Sequence, residues 1–158
     1  MIIIADTGPI ISLAIIDKLN LLSELYGEIY IPNAVWEELI KYADVLNVPK
    51  VKQFKNNIRY INSENYLSNI MDDGESEAVI LYKEMNADSF LVDDKHARDI
   101  AESLNVTCIG TLATLIDAKR SGLIKEIRPY FQKLIENDRY FSTNLLNDIL
   151  IKNNEKII

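Results

Sequence analysis

Short apolar segments that alternate with longer helical segments constrain this chain more than any other feature of its sequence. Segments with the composition of buried strands lie at residues 2–5, 29–31, 58–61, 90–92 and 106–109. Helix-start signals follow several of them, such as Pro9 after the first segment and Asn33 after the second. Repeated strand–helix units are typical of a sheet covered by helices on both faces. The sequence therefore predicts an α/β protein, a three-layer α/β/α sandwich with a mainly parallel central sheet.

The 158 residues are expected to form a single domain over 1–158, closed by helices at about 125–152. No stretch approaches the roughly 20 apolar residues that a membrane-spanning helix needs. The start, MIIIADTGP, lacks the basic region of a secretory signal. The single cysteine, Cys108, suits a reducing compartment. We therefore expect a cytoplasmic protein with no membrane contact.

Missing residues and motifs exclude several kinds of site. One cysteine and one histidine are too few for a multi-cysteine zinc site and for most histidine-based schemes. The glycine patterns of dinucleotide and P-loop nucleotide sites are absent, and so is GxSxG. The chemistry that stays open is that of carboxylates and a metal ion.

Charge is distributed unevenly along the chain. It carries 17 basic and 24 acidic residues, a net charge of −7. Residues 1–118 hold 9 basic and 19 acidic groups, whereas residues 119–158 hold 8 and 5. Such runs are commonly solvated faces. The alternative is that the acids gather at a cation site while the basic segments, including the lysine-rich stretch 41–59, bind a polyanion nearby.

Acidic residues follow two of the predicted strands. Asp6 ends the first, and Asp93 and Asp94 end a later one. The carboxyl ends of parallel strands open on one edge of a sheet, where functional crevices lie. Carboxylates that converge there are costly to bury unless a cation compensates them, and a divalent ion such as Mg²⁺ prefers oxygen ligands. The alternative is that these residues simply cap the helices that follow.

Further acids lie on predicted helices. Glu38 belongs to the helix after Asn33, and Glu75 and Glu77 belong to the first turn of a later one. Acids are favoured at helix N-termini through the helix dipole, so Glu75 is interpreted as structural.

The order of the acids resembles that of the PIN-domain nucleases, and in particular small prokaryotic members with a DTSPLI-like start. The matching segments are ADTGPIISLAIIDKLNLL (5–22), IYIPNAVWEEL (29–39), DGESEAVILYKEMNAD (73–88), FLVDDKHARDIAESLNV (90–106) and IGTLATLIDAKRSGLI (109–124). Together they cover nearly the whole chain. The resemblance implies that the catalytic acids are Asp6, Glu38, Glu77 and Asp94.

The resemblance also implies an activity and partners. The expected reaction is Mg²⁺- or Mn²⁺-dependent hydrolysis of RNA, carried out by the toxin of a toxin–antitoxin pair that forms homodimers and is blocked by a small antitoxin protein. We expect Asp6 and Asp94 to hold the ion, with Glu77 and Asp93 completing its shell and Glu38 orienting the attacking water. Candidate substrate contacts are Thr7, Lys50, Lys52, Arg98 and Lys119.

Two positions depart from the family pattern. Glu77 stands where many PIN nucleases have Asp, and Val92 stands where many have Thr or Ser. These departures favour an alternative, a PIN-fold module that binds RNA or protein without cutting it. A phospho-acceptor signalling domain fits less well, because the first strand ends in one acid and no late strand ends in Lys.

Overall fold

The computed structural model describes all residues from Met1 to Ile158. Its five strands form one sheet in the order β3-β2-β1-β4-β5, and every pairing is parallel. The strands are β1 (Ile2–Ala5), β2 (Glu28–Pro32), β3 (Ile58–Arg59), β4 (Ser89–Leu91) and β5 (Cys108–Ile109). The predicted mainly parallel sheet is therefore confirmed.

Eight α-helices surround the sheet, and none is long and apolar enough to cross a bilayer. They are α1 (Thr7–Ile15), α2 (Leu21–Tyr26), α3 (Asn33–Val45), α4 (Asp73–Glu84), α5 (Lys95–Ser103), α6 (Thr111–Arg120), α7 (Arg128–Glu136) and α8 (Thr143–Lys152). The lysine-rich stretch contains a 3-10 helix, Pro49–Asn57. The C-terminal helices predicted at about 125–152 are α7 and α8.

The two faces of the sheet carry separate hydrophobic cores. Successive strand residues point to opposite faces, so Ile3 and Ala5 pack into the larger core and Ile4 into the smaller one. The larger core receives the apolar faces of α1, α2, α3, α6, α7 and α8. The smaller core receives α4 and α5. Helices therefore cover both faces, as the three-layer prediction requires.

The strand order reverses between β1 and β4. From β1 the chain runs outward through β2 and β3, and then returns to place β4 and β5 on the other side. Asp6 follows β1 directly, and its backbone N–H donates to the Leu91 carbonyl of β4 at 2.9 Å. Ligands of open parallel sheets bind at such a reversal, outside the carboxyl ends of the strands. The topology thus places Asp6 beside the end of β4.

Glu155 anchors the C-terminal segment to the helical layer. Its largely buried carboxylate accepts the backbone N–H groups of Ile127 and Arg128, each at 2.8 Å, and pairs with Lys119 at 2.6 Å. Burial acts to raise the pKa of Glu155, but these hydrogen bonds outweigh it and hold the pKa below its ordinary value. One carboxylate therefore joins the start of α7 to the end of α6.

Replacing Glu155 with Gln is expected to destabilise the fold by about 1–3 kcal/mol at neutral pH, because charge-assisted hydrogen bonds are lost. Since the folded pKa is lowered, the contribution is present above the unfolded pKa and is lost as the pH falls. Urea unfolding at neutral pH and near about pH 4 should therefore show a smaller difference between parent and variant in acid. Glu136→Gln, at an exposed acid of α7, is the control. Equal midpoints for all three proteins at neutral pH would contradict the prediction.

Candidate functional site

Asp6 is a buried carboxylate at the point where the strand order reverses. It occupies the N-cap position of α1, yet its side chain makes no capping hydrogen bond, and the residue is 8% exposed. Burial raises its pKa well above the ordinary value, and the charges of Glu75, Glu38 and Asp72 raise it further. The nearby Thr7 backbone N–H acts in the opposite direction but does not outweigh burial. The negative charge of Asp6 is therefore unfavourable here unless a cation neutralises it or the carboxyl group is protonated.

Three helices fix the position of Glu38, which lies on α3. Its Oε2 accepts the Thr7 hydroxyl proton at 2.6 Å, so α1 holds one carboxylate oxygen. On α4, a Cβ built on Gly74 would lie 3.0 Å from Glu38 Oε1, closer than nine in ten real Cβ contacts. A larger residue at Gly74 would push Glu38 aside. Thr7, which was predicted as a substrate contact, instead donates its hydroxyl to Glu38.

The start of α4 contributes two more acids. Asp72 caps the helix, since its Oδ1 accepts the Glu75 backbone N–H at 3.0 Å. Burial raises the pKa of Glu75 to about 7, and the charges of Asp72 and Asp94 contribute to the rise. Glu75, interpreted as structural from the sequence, therefore lies among the acids that surround Asp6.

Glu77 lies elsewhere on the same helix. Its Oε2 accepts the Ala34 backbone N–H at 3.1 Å, in the first turn of α3. Each residue of an α-helix is rotated by about 100° from the one before it, so the side chains of Glu75 and Glu77 point to nearly opposite sides of α4. The structure therefore places Glu75 beside Asp6, whereas Glu77, predicted as a catalytic acid, binds the start of α3.

The two acids after β4 have different partners. Asp94 caps α5 by accepting the Ala97 backbone N–H at 2.8 Å with Oδ1, while Oδ2 makes no hydrogen bond. Both oxygens of Asp93 are bound to Thr111, one to its N–H at 2.8 Å and one to its hydroxyl at 2.6 Å. Asp93 therefore joins the end of β4 to the start of α6, which differs from its predicted place in a metal shell. Asp94 keeps a free oxygen.

The carboxylates that influence one another here form the acid cluster: Asp6, Glu38, Asp72, Glu75 and Asp94. None of them belongs to an ion pair. An oxygen-only donor set of this kind suits Mg²⁺ or Mn²⁺. No three acidic, histidine or cysteine side chains are arranged to hold one ion together. The residues therefore fit an ion that takes few direct carboxylates and keeps several waters, as Mg²⁺ does.

The model of a protein family, DUF3368, described as a PIN domain, matches residues 2–155. The chain belongs to the PIN-domain family. PIN domains are generally nucleases and generally use divalent metal ions. The family resemblance seen in the sequence is therefore confirmed.

A solved structure supports the PIN fold. It is a PilT N-terminus domain protein from the hyperthermophilic archaeon Sulfolobus solfataricus P2, with 16% sequence identity and a TM-score of 0.53. The match covers 75% of this chain and 93% of that chain. No curated protein matches this sequence. At this identity the likeness concerns the fold alone.

The predicted basic substrate contacts of this PIN domain have partners of their own. Lys50 pairs with Asp17, Lys52 with Asp44 and Lys119 with Glu155, while Arg98 donates to the Val92 carbonyl at 2.8 Å. Lys50 also lines a cavity with Gly27 and Ile29, at the amino end of β2 and so at the opposite edge of the sheet. The cation that does line a cavity with Asp6 is Arg139. Arg139 lies far from Asp6 in the sequence and is not part of a motif, so nothing in the sequence indicated that it lies at this site.

The metal-free PIN domain is expected to lose stability as the pH rises from about 5 to about 8. The pKa of Glu75, about 7, lies above its ordinary value of 4.5, so the folded protein holds this proton more tightly than the unfolded chain. Because Glu75 is half-exposed, we expect a loss of only about 1–2 kcal/mol. Urea midpoints measured in EDTA across this range check the slope. Glu75→Gln should reduce the slope, to which Asp6 also contributes through its raised pKa, and an unchanged slope would contradict the assignment.

Proposed function

We propose that this PIN domain is a metal-dependent endoribonuclease that hydrolyses phosphodiester bonds of RNA. The observation that carries the proposal is Asp6, a buried carboxylate at the reversal of the strand order, with other acids around it and no cation paired to it. Carboxylates of this kind can hold the divalent ion with which an enzyme cuts a polyanion.

The acids take different roles in this proposal. Asp6 and the free oxygen of Asp94 would hold Mg²⁺ or Mn²⁺ directly, and Glu75 would contact the ion through a water. When bound, the ion supplies charge neutralisation at the scissile phosphate and lowers the pKa of a bound water. Glu38, held by the Thr7 hydroxyl, orients the attacking water. Thr7 is thus a positioning residue.

We further propose that the protein is the toxin of a toxin–antitoxin pair in the cytoplasm, that a small antitoxin covers the acid cluster, and that the chain forms homodimers. The family resemblance supports these partners. Three exposed apolar side chains on and just after α3, Ile40, Val45 and Leu46, offer surface for a protein contact. The single Cys108 supports a reducing compartment.

The direct test is cleavage of a labelled single-stranded RNA by the purified chain with Mn²⁺, with Mg²⁺ and with EDTA. We expect cleavage with either ion and none with EDTA, and a strong loss in Asp94→Asn, which keeps the helix cap. RNA binding without cleavage under any condition would contradict the enzyme. It would favour the second candidate, a binding module, which the departures from the family pattern at Glu77 and Val92 support.

A further inference from the structure

A cavity of about 290 Å³ beside the acid cluster is lined by more than carboxylates. Three acids line it, Asp6, Glu38 and Asp72. Tyr42 and Arg139 line it as well, so an aromatic ring and a cation border the same space. Ligand sites begin at about this size. The cavity therefore offers a place for one small group of a substrate next to the acids.

Arg139 lies between α7 and α8 and reaches back to α1. Its Nε donates to the Ser12 hydroxyl at 2.9 Å, and its Nη2 donates to the Gly8 carbonyl at 3.1 Å. A guanidinium group has five N–H donors, so three of them have no partner here. Arg139 forms no ion pair with a carboxylate, although the acid cluster is close by. The guanidinium is held in place and keeps donors for an anion.

Tyr42 and Leu46 extend the cavity wall along α3. They follow Glu38 by one and two helical turns, at the spacing that places side chains on one face. Tyr42 is 47% exposed and Leu46 is 41% exposed, so the ring is accessible from solvent. An exposed aromatic ring provides a face on which an unpaired base can stack.

We propose that Tyr42 and Arg139 form a subsite for one nucleotide of single-stranded RNA, with the base on Tyr42 and a phosphate on Arg139. The inference rests on the proposed function, because a cleaved strand must pass the acid cluster. Carboxylates repel phosphates, and Arg139 is the cation that lines this cavity. Arginine is suited to phosphate because its fork donates two parallel hydrogen bonds.

The test measures binding of a short labelled single-stranded RNA in the Asp94→Asn background, so that the strand stays intact. Arg139→Gln should weaken binding about tenfold or more. It should also lower the slope of log affinity against log salt by about 0.7, the value for one phosphate contact with a single strand. Tyr42→Ala should weaken binding at least about fivefold, while Tyr42→Phe keeps the ring and should bind like the parent. An RNA duplex, whose bases are stacked already, should show no effect of Tyr42→Ala.

Controls separate this role from a structural one. Arg120→Gln removes an exposed arginine outside the cavity and should leave the affinity and the salt slope unchanged. Ser12→Ala removes one anchor of Arg139 but keeps its charge, and should leave the salt slope unchanged. Arg139→Lys keeps the charge without the fork, and should keep the slope while weakening binding; it also serves if Arg139→Gln fails to fold. If Arg139→Gln and Ser12→Ala lower the melting temperature alike and neither changes RNA binding, Arg139 is only a structural anchor and the proposal is overturned.

The subsite and the nuclease fail in different ways. If the parent cuts RNA but Arg139→Gln and Tyr42→Ala bind RNA as the parent does, the subsite is overturned and the nuclease stands. If no protein cuts RNA but binding still depends on both side chains, the nuclease is overturned and the subsite stands. Titration of Mn²⁺ alone should give an affinity for Arg139→Gln at least as high as for the parent, because the acid cluster is intact and a neighbouring positive charge is removed.

Discussion

Asp6→Asn should lower the rate of metal-dependent RNA cleavage by about a hundredfold or more. It should also raise the melting temperature of the metal-free protein. Asn keeps the shape of Asp but cannot carry the charge that holds the ion. The same charge is unfavourable without metal, since burial and the charges of Glu75 and Glu38 raise the pKa of Asp6. We expect the melting temperature in EDTA at neutral pH to rise by about 2–4 °C, the shift that corresponds to about 1 kcal/mol in a protein of this size.

The control for this experiment is Asp99→Asn, at an exposed acid of α5 that pairs with Lys95. It should change neither cleavage nor the melting temperature by much, because exposed ion pairs contribute little. Melting curves with and without Mn²⁺ add a second measurement, since an ion that binds only the folded protein stabilises it. Mn²⁺ should stabilise the parent and not Asp6→Asn. Parent-like cleavage by Asp6→Asn would exclude the proposed site.

Replacing Glu75 and Glu77 of α4 with Gln, one at a time, should give different results. Glu75→Gln is expected to weaken Mn²⁺ binding and cleavage about tenfold to a hundredfold, because a carboxylate of the acid cluster is lost. Glu77→Gln should leave cleavage within about twofold, since its carboxylate serves the Ala34 backbone N–H and a Gln oxygen also accepts that bond. Cleavage rates and Mn²⁺ titrations of the two variants check this.

Both variants keep the length and shape of the side chain, so each is the matched control of the other. Urea unfolding shows whether either effect arises from loss of the fold. A large loss of cleavage in Glu77→Gln, with normal activity in Glu75→Gln, would contradict the geometry at the start of α4. Glu77 would then be the third acid of the site, as the family resemblance implies.

Much of the fold could be predicted from the sequence because it is encoded locally. The run from Ile2 to Ala5 is apolar and ends at Asp6, and β1 has the same bounds. Thr143–Lys152 likewise forms a helix where the periodicity predicts one. The strand segment at 106–109 is shortened to Cys108–Ile109, because a strand ends where its neighbour ceases to pair with it. The sequence of a strand segment does not show how many of its residues will pair with the neighbouring strand.

The sequence by itself determined the alternation of strands and helices, and with it the edge of the sheet on which Asp6 and Asp94 lie. These features depend on hydrophobic periodicity and on the rule that parallel strands end on one edge. Only the tertiary structure showed that Glu75 lies beside Asp6 while Glu77 binds the start of α3, that Asp93 binds Thr111, and that Arg139 lines the cavity. Each of these outcomes depends on the rotation of a helix or on a contact between segments far apart in the chain. A local pattern shows which residues are available, but packing sets the directions in which their side chains point.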